Sequence, residues 1–190
     1  MSHPSRRQDL GLLIIRIGLG GTLVAHGTQK LFGWFGGHGL SGTTGGMEAM
    51  GFHPPKISAV MAGIGEAGGG ALLALGLATP VAGAATASTM LAAGAVHKPA
   101  GFFATEGGFE YSAVLGLAGA AIAISGPGHY SLDRVLNDRL NRPWMAVVAL
   151  TVLGSASAAI IARRRMALES DAPTTTGQVE EGEQAESTGA

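Results

Sequence analysis

Five long stretches of this chain carry almost no charge, and that pattern limits its fold more than any other feature. A helical membrane span needs roughly 20 apolar residues. The runs Leu10 to Ala25, Ile57 to Leu77, Val81 to Val96, Tyr111 to Ser125 and Trp144 to Ala162 approach or reach that length. The first can extend to Phe32, and the fourth, being short, should begin near Phe109. In hydrocarbon every backbone polar group must be satisfied internally, which leaves helices or closed barrels. The expected fold is all-α: a polytopic membrane four-helix bundle core, followed by a fifth transmembrane helix and a disordered C-terminal tail.

Composition agrees. The 190 residues are 46% hydrophobic and 13% charged, against about 25% charged in ordinary soluble domains. Residues 169–190 carry six of the 13 acidic side chains and none of the 12 basic ones. A net-basic body therefore precedes an acidic segment too poor in large apolar residues to fold alone. The chain has no cysteine, which excludes disulfides, thiolate nucleophiles and thiolate-bound clusters within it. The first apolar run continues into His26, Lys30 and Phe32 rather than a cleavage site, so it reads as a retained span. Gly65 and Gly69, and Gly116 with Ala120, have the spacing that lets membrane helices approach closely.

Glu66 lies about nine residues into the second run, roughly 14 Å deep at 1.5 Å per residue. An acidic residue at mid-bilayer costs about 3 kcal/mol on insertion scales, so it usually faces a bundle interior or a polar cavity. Alternating the direction of successive spans gathers further polar residues on the side where Glu66's helix begins. His26 and Lys30 end the first span, His97 ends the third, and Glu110 starts the fourth. All six phenylalanines, including Phe32 and Phe109, map to this side with Trp34 and Tyr111. Glu66 and His26 are the expected catalytic pair. Lys30, His97, Glu110, Phe32 and Phe109 are the expected ligand-binding set. The i, i+4 spacing of His26 and Lys30 puts them on one helix face. A carboxylate beside a cation stays ionised, whereas one buried alone holds a proton; either state suits proton exchange.

Arg16 lies about 15 Å toward the opposite face, where Asp133 is its expected structural partner and Asp9 the alternative. The loop Gly33 to Pro55 is expected to hold a short helix around Gly46 to Met50. Five arginines on the N-terminal side (Arg6, Arg7, Arg134, Arg139 and Arg142) face three lysines on the other, which favours a cytoplasmic N-terminus. A fifth crossing would move Arg163, Arg164 and Arg165 to the lysine side and reverse that balance. Local metal-ligand spacings are missing, so no metal is expected. Phosphate-binding, nucleophile-elbow and dinucleotide motifs are missing too. Nucleic-acid binding has no support.

Several of these residues occur in motifs. Arg16 to Gly20 and Ala25-His26-Gly27-Thr28-Gln29-Lys30-Leu31-Phe32-Gly33 resemble the first helix of the DoxX family. Glu66-Ala67-Gly68-Gly69-Gly70 is similar to its second-helix motif. His97, Gly107 to Glu110 and Gly126 to Asp133 resemble its third and fourth helices. The resemblance covers about residues 8–136 and implies a four-helix membrane core. The expected organisation is a polar N-terminus (1–9), a membrane domain (10–136), an added transmembrane helix (143–165) and the tail (166–190). The family resemblance implies a multi-pass plasma-membrane protein near redox systems, including a thiosulfate:quinone oxidoreductase subunit and oxidative-stress complexes with superoxide dismutase and a sulfurtransferase. Three functions stay open: a redox-associated subunit binding a quinone-like ligand, a non-enzymatic scaffold for soluble redox enzymes, and a small-molecule transporter. Whether the chain is itself an enzyme, or a homo-oligomer, also stays open.

Overall fold

The computed structural model describes residues 5–170, and among them there are seven α-helices, three single 3-10 turns and no strand. Helix α1 (Arg6–Phe32) opens on a capping box, in which Ser5 and Gln8 satisfy each other's backbone N–H groups. It stops at Gly33, whose φ of 74° suits glycine. Helix α2 (Gly39–Ala49) fills the following loop, and α3 (Pro55–Leu75) begins on a proline, which lacks the N–H an early helical position would leave unpaired. Then come α4 (Thr79–His97), α5 (Glu110–Ser125), the single-turn α6 (Leu132–Val135) and α7 (Pro143–Ser170).

By length and composition, α1, α3 and α7 can each cross a membrane; α5 is apolar but has only 16 residues. Helix α4 is long enough but built largely from Ala, Gly, Thr and Ser. It is the central helix, packed against α3, α5 and α7, so small side chains suit it better than large apolar ones. The exterior is apolar instead: Ile14, Met61, Leu117, Ile124 and Val147 are all more than half exposed. Such a surface fits a lipid surround rather than water.

Helices α1 and α3 meet through glycine. A Cβ on Gly27 would lie 2.7 Å from both the Gly63 carbonyl and the Ala67 Cβ. One on Gly70 would sit 2.7 Å from the Gly20 carbonyl. Backbones this close fix the register of the antiparallel pair, and that register sets Lys30 opposite Glu66.

At the far end, a clasp joins the α3–α4 turn to the segment before α7. Asp133, fully buried, accepts the N–H groups of Ala78 (2.8 Å) and Thr79 (2.9 Å) at the start of α4, and its own N–H donates to the Gly76 carbonyl (2.8 Å). The expected Arg16–Asp133 pair is a charge attraction across this end rather than a hydrogen-bonded ion pair. Both residues are buried at this end, but the Asp133 carboxylate is taken up by helix-capping N–H groups, and Arg16 Nη2 donates to the Tyr130 carbonyl. Asp9 pairs not with Arg16 but with His129, through the backbone N–H at 2.9 Å and Nδ1 at 3.2 Å.

Three boundaries differ from expectation. Helix α2 is 11 residues long and starts well before Gly46, held by the Thr43 hydroxyl donating to the Lys30 carbonyl at 3.1 Å and by packing against α1 and α3. Residues 6–9 belong to α1, and α7 continues to Ser170 beyond the expected limit at 165. The remaining stretch assigned to the tail, 171–190, lies outside the described residues, as do residues 1–4. Helix α7 returns to the end where α1 finishes. Its Ser157 hydroxyl donates to the Ser88 carbonyl (2.7 Å), and Arg164 donates through Nε to the Met50 carbonyl (2.7 Å) while lying over the Phe52 ring.

Three expectations follow. Gly27→Leu should cost about 1–3 kcal/mol of stability or more by forcing backbones apart, read as a lower unfolding midpoint in detergent. Gly21→Leu, with open space around it, should be neutral. Asp133→Ala should cost about 2–4 kcal/mol because it strands one buried and one part-buried N–H group, and Asp133→Asn, which keeps one acceptor, about half that. Because the chain has no cysteine, single cysteines can be labelled cleanly. An impermeant thiol reagent should reach positions 98 and 165 from one membrane face and positions 7 and 139 from the other; labelling of 7 and 165 from one face would contradict the fifth crossing.

Candidate functional site

Where α1 and α3 carry Lys30 and Glu66, the four core helices enclose a cavity of about 430 Å³. Its floor is apolar: Leu23 of α1, Met90 of α4 and Leu115 of α5. Its wall and rim hold His26, Lys30, Glu66, His97, Tyr111 and Ser112, with the loop residues Ala104, Gly107 and Gly108. Helices α1 and α5 touch only sparsely, while α1 packs along α3 and α4 along α5. The cavity thus occupies the loosest seam of the core.

Glu66 is 5% exposed, and its Oε2 pairs with the Lys30 ammonium. Removing one partner of a buried pair leaves an uncompensated charge, generally at a cost of about 3–5 kcal/mol. Across the seam, His26 Nε2 and the Tyr111 hydroxyl lie 3.1 Å apart, joining α1 to α5. His97 Nδ1 is 2.9 Å from the Gly107 carbonyl, which fixes the ring at the end of α4.

Four of the expected residues, His26, Lys30, Glu66 and His97, line this one cavity. Three do not. Glu110 turns away because its Oε2 accepts the Ala104 N–H at 3.0 Å, tying the loop to the start of α5. Phe32 is exposed and packs on Trp34 with ring centroids 5.4 Å apart. Phe109 precedes α5 and meets Phe102 edge-on at 5.3 Å. These two groups of rings flank the cavity end without forming its lining. Tyr111 was missed as a site residue, although the alternation of spans places it on the correct side. Glu110 precedes it in the helix, but its carboxylate is held by the Ala104 N–H, and the tyrosine lines the cavity instead. Among the described residues, no three metal-ligating side chains converge.

The arrangement joins proton donors and acceptors in two pairs, Lys30–Glu66 and His26–Tyr111, above an apolar floor. It can hold a small molecule with an apolar body and orient a polar head among groups able to exchange protons.

Residues 11–99 match the DoxX family model. The match ends two residues past α4, so α5 and the segment from Gly126 to Asp133 lie beyond it. No curated protein and no solved structure matches the chain. With its apolar exterior and its long apolar helices, the chain is an integral membrane protein whose residues 11–99 are similar to the DoxX family.

Proposed function

We propose that this cavity binds a small ligand of the quinone type, an apolar ring with hydrogen-bonding oxygens, and that the chain serves as a membrane subunit associated with a redox system. The observation that carries the reading is the position of Glu66. A carboxylate 5% exposed lines a cavity whose floor is Leu23, Met90 and Leu115. Such a combination of apolar walls with a few convergent polar groups is the usual form of a small-molecule site, and about 430 Å³ lies within the usual size range.

The residues fit such a ligand. The apolar floor accepts a ring, and the polar groups gather at one side, where ring oxygens would lie. Glu66 Oε1 is left open by the Lys30 pair and can take or hold a proton at the ligand oxygen. His26, in contact with the Tyr111 hydroxyl, can pass a proton toward the seam between α1 and α5. Lys30 offsets the carboxylate's charge and keeps Glu66 in place. A bound quinone would supply two-electron chemistry; the chain's own residues supply binding, orientation and proton handling. The redox association, a plasma-membrane location and soluble redox enzymes as partners come from the family resemblance rather than from this geometry.

Protein extracted gently and reconstituted in lipid nanodiscs should retain quinone by mass spectrometry or bind a short-chain benzoquinone. Glu66→Gln and His26→Ala should each weaken binding by about tenfold, the scale of one lost buried hydrogen bond, with folding monitored by the thermal midpoint. Wild-type protein that neither retains nor binds any quinone would remove the proposal.

A further inference from the structure

Three of the four seams around the cavity are shut by close packing. Helices α1 and α3 meet at Gly27 and Gly70. A Cβ on Gly65 of α3 would lie 3.3 Å from Thr89 Oγ1 of α4, and one on Gly83 of α4 would lie 2.5 Å from the Gly119 carbonyl of α5. The fourth seam, between α1 and α5, has sparse contact. Among the described residues, the one hydrogen bond across it joins His26 to Tyr111 at 3.1 Å. Such a bond contributes only about 0.5–1.5 kcal/mol net, so this seam parts more readily than the others.

The remaining boundaries are firmer. Beyond the floor lie the buried side chains of Leu19, Leu73 and Ile122. On the loop side, the connection from α4 to α5 is bonded to itself and to both helices. The Phe109 N–H donates to the Gly101 carbonyl (3.1 Å), the Glu110 N–H donates to the Phe102 carbonyl (2.8 Å), and the Gly107 carbonyl meets His97 Nδ1. Outside the sparse seam the surface is apolar. Tyr111 lines the cavity and is nonetheless 47% exposed. Val114 and Leu117, farther along α5, are 59% and 72% exposed. Thr22 stands one turn before His26 on the same face of α1. A molecule leaving between α1 and α5 would meet lipid rather than water.

On the strength of the quinone-type reading, we infer that the cavity fills sideways from the bilayer through the α1–α5 seam, with the His26–Tyr111 contact as its latch. Its ligand is then a membrane-dissolved molecule. The ring enters the cavity, and an alkyl or isoprenoid tail, which the packed floor excludes, stays in the seam along Thr22, Val114 and Leu117.

The test uses the full chain in phosphatidylcholine nanodiscs and a decyl benzoquinone carrying a diazirine midway along its tail. Irradiation and peptide mapping should place the label on Thr22, Val114 and Leu117, and excess unlabelled decyl benzoquinone should remove it. Label yield against mixing time gives the association rate. Val114→Trp, which fills the outer edge of the seam, should slow association about tenfold, a modest rise in barrier. Ile64→Trp, at an exposed position on α3, should leave it unchanged. Tyr111→Phe should speed association several-fold by releasing the latch, which loss of a ligand contact would not do. The thermal midpoint monitors folding in each variant. Competable label in the loop 98–109 rather than the seam, or a rate unmoved in Val114→Trp, would overturn the lateral route and leave the quinone-type reading standing. A Tyr111→Phe rate no faster than wild type would overturn the latch. Absence of binding by both this probe and a short-chain benzoquinone would overturn the inference and the reading together.

Discussion

The cavity depends on one ion pair held deep between two helices. A carboxylate among lipid tails is tolerable only with a partner, and Glu66 finds it in Lys30. That meeting is set by neither residue alone. It follows from glycines at 20, 27, 63 and 70, which let α1 and α3 approach until a methyl group would collide. Larger residues at those positions would shift the two helices and separate the charges. The sites of closest packing and of greatest polarity thus belong to one contact surface.

The two ends of the bundle solve different problems. At the Asp133 end the polar groups are buried and aimed at backbone, where they cap α4 and hold the α3–α4 turn against the chain that follows. At the cavity end, side chains on four helices point at a shared space and leave part of their hydrogen-bonding capacity unused. Capacity goes unused at the Asp133 end as well, at Arg16 Nε and Nη1 and Thr79 Oγ1; what separates the candidate binding site is that its polar groups face an open space.

Much of this was legible in the sequence because membrane threading is a strong rule. Once the apolar runs are identified, alternation alone brings His26, Lys30, Glu66 and His97 together, and the structure places them in one cavity. What stayed hidden depended on local competition. Glu110 was drawn to an unpaired N–H in its own loop, which left the inward position to Tyr111. Asp133 caps the start of α4 besides attracting Arg16. Helix α2 has glycine at 39, 42, 45 and 46, a poor composition for a helix, and forms because its neighbours hold it. None of these outcomes is written in periodicity or charge.

Helix α7 changes the parity of the bundle. Four antiparallel helices would return the chain to the surface it started from; α7, tied by Arg164 to the Met50 carbonyl and by Ser157 to α4, carries it across once more. Arg6 and Ser170 therefore stand at opposite ends of the bundle. Cargo attached behind the last helix would lie near the mouth of the cavity, and cargo attached ahead of the first would lie at the far end.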